Sequence, residues 1–237
     1  MLWGRYDREL LETYKLVDHT IGWVRETAGD AILIVMSDHG FARFDRAVHL
    51  NTWLMREGFL RLTDPWQTGD EELFANVDWS RTKAYALGLN SVFVNQQSRE
   101  RDGIVAPGEA TRRVLSEIEA GLVGLRDPAN GNAVVTSVAG MHAQPAPDLI
   151  VGYAPGFRGS WQTALGAVPA KLIEDNQDEW RGDHCIDPRS VPGVLLSNRK
   201  TEVNNPRLED LTVTILEAFG VGREERMKGR NLYPRRP

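Results

Sequence analysis

The residues whose types and spacing speak most clearly of chemistry are Ser37, Asp38 and His39, closed by Gly40. An aspartate brings charge and an imidazole brings a neutral nitrogen donor, so side by side they suit a divalent cation. Adjacent residues of a regular strand point to opposite faces. A shared ion therefore demands an irregular turn here, and Gly40 makes one easier. A plainer reading uses the same residues: Asp38 caps the turn and His39 is solvated. Far downstream, His184 stands in Trp180-Arg181-Gly182-Asp183-His184-Cys185. Asp183 either orients His184 or caps a turn. Cys185 is either a thiolate donor or a small, partly buried apolar residue, the commoner role for a free cysteine.

The elements that must position these residues can be read from pattern. Ala31-Ile32-Leu33-Ile34-Val35-Met36, bounded by Gly29-Asp30 and Gly40, reads as a fully buried strand of a parallel sheet. Open α/β sheets bind ligands at the carboxyl ends of such strands. Val194 to Ser197 reads as another buried strand. Before the first strand, Leu10, Leu11, Tyr14, Leu16, Val17, Ile21 and Val24 recur at helical spacing from about Arg8 to Thr27. Helix then strand is the order of a sheet covered by helices. Leu50 to Glu57 predicts a short helix closed by Gly58, and Lys83 to Leu87 with Ser91 to Asn95 predict two strands around a Gly88-Leu89-Asn90 turn. Pro107 to Leu125 is the clearest amphipathic helix, with Val114, Ile118 and Leu122 as its stripe. Strands are expected next at Ala133 to Val138 and Asp148 to Tyr153, then an irregular region at 154–182, and a final helix from Leu208 to Phe219 capped by Gly220.

At 237 residues the chain can bury a sizeable core, as one domain or two. A net charge of -5 gives no electrostatic case for a nucleic-acid or anionic-membrane partner. It does not exclude phosphate esters, because bound metals supply local positive charge. No stretch approaches the ~20 apolar residues of a membrane span, and Met1 to Asp7 holds no signal-peptide core. The single cysteine precludes an internal disulfide and fits a reducing cytoplasm.

Taken together, Ser37-Asp38-His39-Gly40 and Gly182-Asp183-His184 resemble the alkaline phosphatase superfamily, in its type I phosphodiesterase/nucleotide pyrophosphatase branch. Leu50-Asn51-Thr52-Trp53-Leu54, Asp78-Trp79-Ser80, Thr82-Lys83-Ala84-Tyr85, Pro147 to Tyr153 and Asp210 to Leu216 extend the resemblance over nearly the whole chain. The resemblance implies an α/β fold: a three-layer α/β/α core, held here in part, with an inserted small α+β cap. The core would be 1–59 and 183–237, and the cap, which helps select substrate, 60–182. It implies hydrolysis of a small-molecule phosphate ester by two divalent ions, Zn²⁺ with Mn²⁺ as the alternative. Asp38 and His39 would bind one ion and His184 the other.

The chain departs from the family pattern ahead of Ser37. A strand-end Asp, a nucleophilic Ser or Thr at a helix start and a D-x-x-x-H motif are expected there, and none is found in the 36 residues present. Met1-Leu2-Trp3 looks like the continuation of that motif, so Met1 is expected to be internal. No catalytic nucleophile is assigned. The isolated chain is expected to lack turnover and to self-associate through uncovered apolar sheet surface. Competing readings are a sulfatase, phosphonate hydrolase or phosphomutase of the same superfamily, and a non-catalytic binding or accessory protein.

The remaining candidates read as structural. His19 belongs to a helix surface, His49 to the start of the Leu50 helix, and His142 to a solvated loop. Lys83 and Tyr85 either contact substrate from the cap or alternate along an ordinary strand. Trp53 and Trp79 read as packing, and Arg181 as a weak candidate for a substrate anion.

Overall fold

The computed structural model describes residues 4–64, 66, 68–69, 71–141 and 146–233. His142 and Met1-Leu2-Trp3 lie outside the described residues. In chain order the elements are α1 (Asp7–Thr27), β1 (Ile34–Met36), β2 (Ala42–Val48), α2 (Leu50–Arg56), β3 (Ala84–Ala86), β4 (Ser91–Val94), α3 (Glu109–Gly124), β5 (Val135–Gly140), β6 (Leu149–Tyr153), β7 (Gly156–Gly159), α4 (Trp161–Ala164), β8 (Ile173–Asp175), β9 (Gly182–Asp183), β10 (Leu195–Ser197) and α5 (Leu208–Ala218). They form two compact units. One is Asp7–Gly40 with Gly193–Pro237, and the other is Phe41–Pro192 with the described residues before Asp7.

The first unit holds α1, β1, β10 and α5. Asp7 and Glu9 in the first turn of α1 and Arg25 in the last complement the helix dipole. No residue of α1 is buried, and Leu10, Tyr14, Val17 and Trp23 are exposed. β1 pairs antiparallel with β10, Ile34 opposite Ser197 and Met36 opposite Leu195. This corrects the expectation of a buried parallel strand. An apolar run encodes a preference for burial but not a pairing direction, and β10 is the one strand paired with β1 among the described residues. The second strand expected to be buried is likewise open, with Val194 and Leu196 exposed. In α5 the buried Asp210 accepts from the amides of Arg207 and Arg230, at 2.9 and 2.7 Å, so one carboxylate ties the helix start to the chain end.

The second unit is built on two sheets. In one, β3, β4, β6 and β5 lie side by side, all antiparallel. In that unit, Val114, Ile118 and Leu122 of α3 are buried, as the spacing predicted. In the other sheet, β2 runs between β7, parallel to it, and β8, antiparallel, while β9 pairs with its start. No strand was expected at β2, because Arg43, Asp45 and Arg46 break its apolar pattern. Arg46 satisfies its charge at a distance, through two hydrogen bonds of 2.8 and 2.7 Å to the buried carboxylate of Asp127. The region 154–182, expected to be irregular, contains β7, α4 and β8. Ser160 caps α4 by accepting from the Thr163 amide at 3.0 Å. One apolar core, including Val48, Leu54, Val92, Ile118, Val151 and Phe157, serves both sheets. Among the described residues no helix is long and apolar enough to cross a membrane.

Candidate metal-binding site

In the first unit, the turn carrying Asp38 and His39 is pinned on one side by strand backbone. The Ser37 amide donates to the Val194 carbonyl at 3.0 Å, and the Val194 amide donates back to Ser37 Oγ at 2.9 Å. The residue before Val194 must be small: a Cβ on Gly193 would lie 2.5 Å from the Ser37 carbonyl oxygen. Ser37 is therefore an anchor for the turn, a role its sequence context did not reveal.

Asp38 Oδ1 accepts from the His39 amide at 3.1 Å, and its side chain is 70% exposed. His39 Nδ1 lies 2.9 Å from the Gly40 carbonyl oxygen. A carbonyl can only accept, so Nδ1 carries a proton, and in the neutral ring the lone pair is on Nε2. Tying one ring nitrogen to a carbonyl is how metal-binding histidines are usually oriented. Nε2 stands 3.5 Å from Asp38 Oδ2. A carboxylate oxygen and an imidazole nitrogen this close together could both reach one divalent ion. The two adjacent side chains thus converge, as a shared ion would require of this turn.

His184 belongs to the second unit. β9 brings Asp183 opposite Ala42 of β2 and leaves His184 just beyond the pairing. The Asp183 carboxylate is buried and engaged at both oxygens. Oδ2 accepts from Arg158 Nη1 at 2.5 Å and from Trp180 Nε1 at 3.3 Å. Oδ1 accepts from the amides of His184 and Cys185 at 2.7 and 2.9 Å. Burial would raise this carboxyl, but the donors from Cys185, Arg158 and His184 hold it below the ordinary carboxylate value. Both turn-side bonds go to backbone amides, so Asp183 caps the turn that carries His184.

The donor atoms of Asp183, His184 and Cys185 lie within 4.8 Å of one another. Their chemistry is unequal. Asp183 already has four donors. Burial, with the Asp183 charge beside it, pushes the Cys185 thiol up to about 11, so in the chain by itself it is a poor thiolate donor. The His184 imidazole is the suitable donor of the three: its side chain is 44% exposed, and Phe41 meets it edge-on at 5.7 Å between ring centroids.

The other candidates lie elsewhere in the fold. His49 is fully buried at the head of α2, with Nε2 3.1 Å from Glu174 Oε1. His19 is exposed on α1, and Arg181 and Lys83 are exposed. Trp53 stacks on Phe59 in the core. Tyr85 lies among Phe74, Trp79 and Phe93, and burial, with Glu100 nearby, pushes its hydroxyl up to about 12. Arg158, which holds Asp183, was missed. A lone arginine in Gly156-Phe157-Arg158-Gly159 gives no local signal.

The mixed α/β scaffold, with five helices among the described residues, is consistent with an alkaline-phosphatase-like core. The chain belongs to the type I phosphodiesterase / nucleotide pyrophosphatase family, whose model matches residues 2–219. That family is one of hydrolases acting on phosphate esters, and it is typically metal-dependent. No curated protein and no solved structure matches the chain.

Proposed function

We propose that this chain carries part of a two-metal site for hydrolysis of small phosphoric esters or diesters, with Asp38 and His39 binding one ion and His184 the other. The observation that carries the reading is the Asp38–His39 pair, with Nε2 and Oδ2 converging at 3.5 Å while Nδ1 is tied to the Gly40 carbonyl. When bound, a divalent pair activates the nucleophile and stabilises the leaving oxygen. The chain's own residues hold and orient. Ser37 fixes the turn, the Gly40 carbonyl fixes the His39 ring, and Asp183 fixes the His184 backbone. Mixed carboxylate and imidazole donors favour Zn²⁺, with Mn²⁺ as the alternative.

In this reading 1–59 and 183–237 are core and 60–182 is the inserted cap. No residue of the chain is assigned as nucleophile, so the isolated chain is expected to hydrolyse bis-para-nitrophenyl phosphate no faster than the metal ions alone. The exposed apolar residues of α1 and β10 support self-association of the isolated chain. The single cysteine supports a cytoplasmic setting. The decisive test is a Zn²⁺ titration of histidine-labelled protein followed by NMR. The His39 ring should shift on binding, and Asp38→Asn should raise the concentration needed at least about tenfold. A His39 response unaffected by Asp38→Asn, or turnover above the metal blank, would contradict the reading.

A further inference from the structure

The second unit contains a buried arginine whose position is more elaborate than a core needs. Arg158 lies on β7 opposite Ala47 of β2 and is fully buried. Its guanidinium sits between two rings, 4.1 Å from the Phe44 centroid and 4.4 Å from that of Trp161. Nε donates to the Gly159 carbonyl at 2.9 Å and Nη1 to Asp183 Oδ2 at 2.5 Å. Nη2 has no hydrogen-bond partner among the described residues. Buried ion pairs are often no more stabilising than apolar side chains of the same volume. An arginine held here with one nitrogen unsatisfied is thus poorly explained by packing alone.

The explanation lies in how the Asp183 carboxylate is shared. Oδ2 faces inward, to Arg158 and Trp180, and Oδ1 faces the turn, to the amides of His184 and Cys185. The carboxylate is a connector with one oxygen on each side. The ring clamp fixes the guanidinium, the guanidinium fixes the carboxylate, and the carboxylate fixes the two amides from which the His184 imidazole projects. A planar fork stacked between rings can hold an angle that a lysine ammonium cannot. We infer that Arg158, clamped by Phe44 and Trp161, is a positioning residue that sets the His184 imidazole through Asp183. Arg158 does not itself touch metal or substrate. The inference rests on the reading of His184 as a metal ligand.

The test uses the full chain with labelled histidines, comparing the parent with Arg158→Met, Arg158→Lys and Trp161→Leu. Three quantities are read: the Zn²⁺ concentration that half-shifts each histidine ring, the exchange rates of the His184 and Cys185 amides, and thermal stability. Arg158→Met should raise the His184 midpoint about tenfold or more, the usual effect of losing an outer partner of a ligand. The His39 midpoint should stay within about twofold, and the two amides should exchange faster. Arg158→Lys keeps the charge without the fork and should fall between. Trp161→Leu removes one wall of the clamp at a half-exposed ring. It should show the same changes, smaller, and it decides the matter if Arg158→Met does not fold. A merely structural pair would lower stability and leave the His184 midpoint and both amides unchanged; that result overturns the inference. If His184 of the parent ignores Zn²⁺, the ligand reading fails, and the amide rates alone then decide whether Arg158 positions the turn.

Discussion

Gly193→Ala is the perturbation that most directly probes how the Asp38–His39 turn is held. The added methyl would stand 2.5 Å from the Ser37 carbonyl oxygen and 3.3 Å from that of Asp38, both backbone atoms that no rotamer change can move. Ordinary contact begins near 3.4 Å, so the two segments must part by about 0.9 Å. The hydrogen bonds of Ser37 to Val194, at 3.0 and 2.9 Å, lie immediately beside the clash. Overpacking of this kind costs about 1–3 kcal/mol, and losing one of those hydrogen bonds costs about 0.5–1.5 kcal/mol more. Against this, the stiffer unfolded chain of an alanine variant returns only about 0.4–1 kcal/mol, so destabilisation wins by roughly 2–3 kcal/mol. For a chain of this size that is a fall in melting temperature of about 4–12 °C. Circular dichroism melts would measure it, with Gly222→Ala, where no atom lies within 4 Å of the added carbon, as the control. The Zn²⁺ midpoint of His39 should rise as well. A Gly193→Ala protein that melts within about a degree of the parent would refute the argument.

Two further outcomes are expected. Asp127→Ala should destabilise the second unit by about 3 kcal/mol, because it strands the Arg46 guanidinium, whose remaining partner is the exposed Asp175; urea unfolding would measure this, and a loss below about 1 kcal/mol would contradict it. Stability should also fall in acid. Hydrogen bonds from Arg189 hold Asp187 below the ordinary carboxylate range, and in Asp127 and Asp210 burial is outweighed by donors from Arg46, Ala129, Arg207 and Arg230. Carboxyls lowered in the fold contribute stability that is fully present above the unfolded value near 3.9 and lost as pH falls through the folded values. Melting temperature should therefore be flat from pH 7 to about 5 and drop below about 4; a melting temperature that rises below pH 4 would reverse the sign.

Legibility in the sequence tracks locality. The stripe of α3 and the β3–β4 hairpin were legible because their signals sit within a few residues of each other. The irregular turn that brings Asp38 and His39 side by side was legible because it is written in four consecutive residues. β2 was not, because its charges are answered by Asp127, 81 positions away from Arg46. The antiparallel pairing of β1 with β10 was not, because an apolar run carries no direction. Arg158 was invisible for the same reason as β2: its partners Phe44, Trp161 and Asp183 meet only in the fold.

The hydrogen bonds between Ser37 and Val194 have a consequence for how such a chain can change over time. They place the point where the chain leaves the first unit next to the point where it returns. Everything from Phe41 to Pro192 is thus a cassette that departs from and rejoins neighbouring attachment points. Residues can be gained or lost within the cassette without disturbing the strand pair that frames the Asp38–His39 turn. The Asp38–His39 turn stands outside the cassette and His184 inside it, so the two can change at different rates.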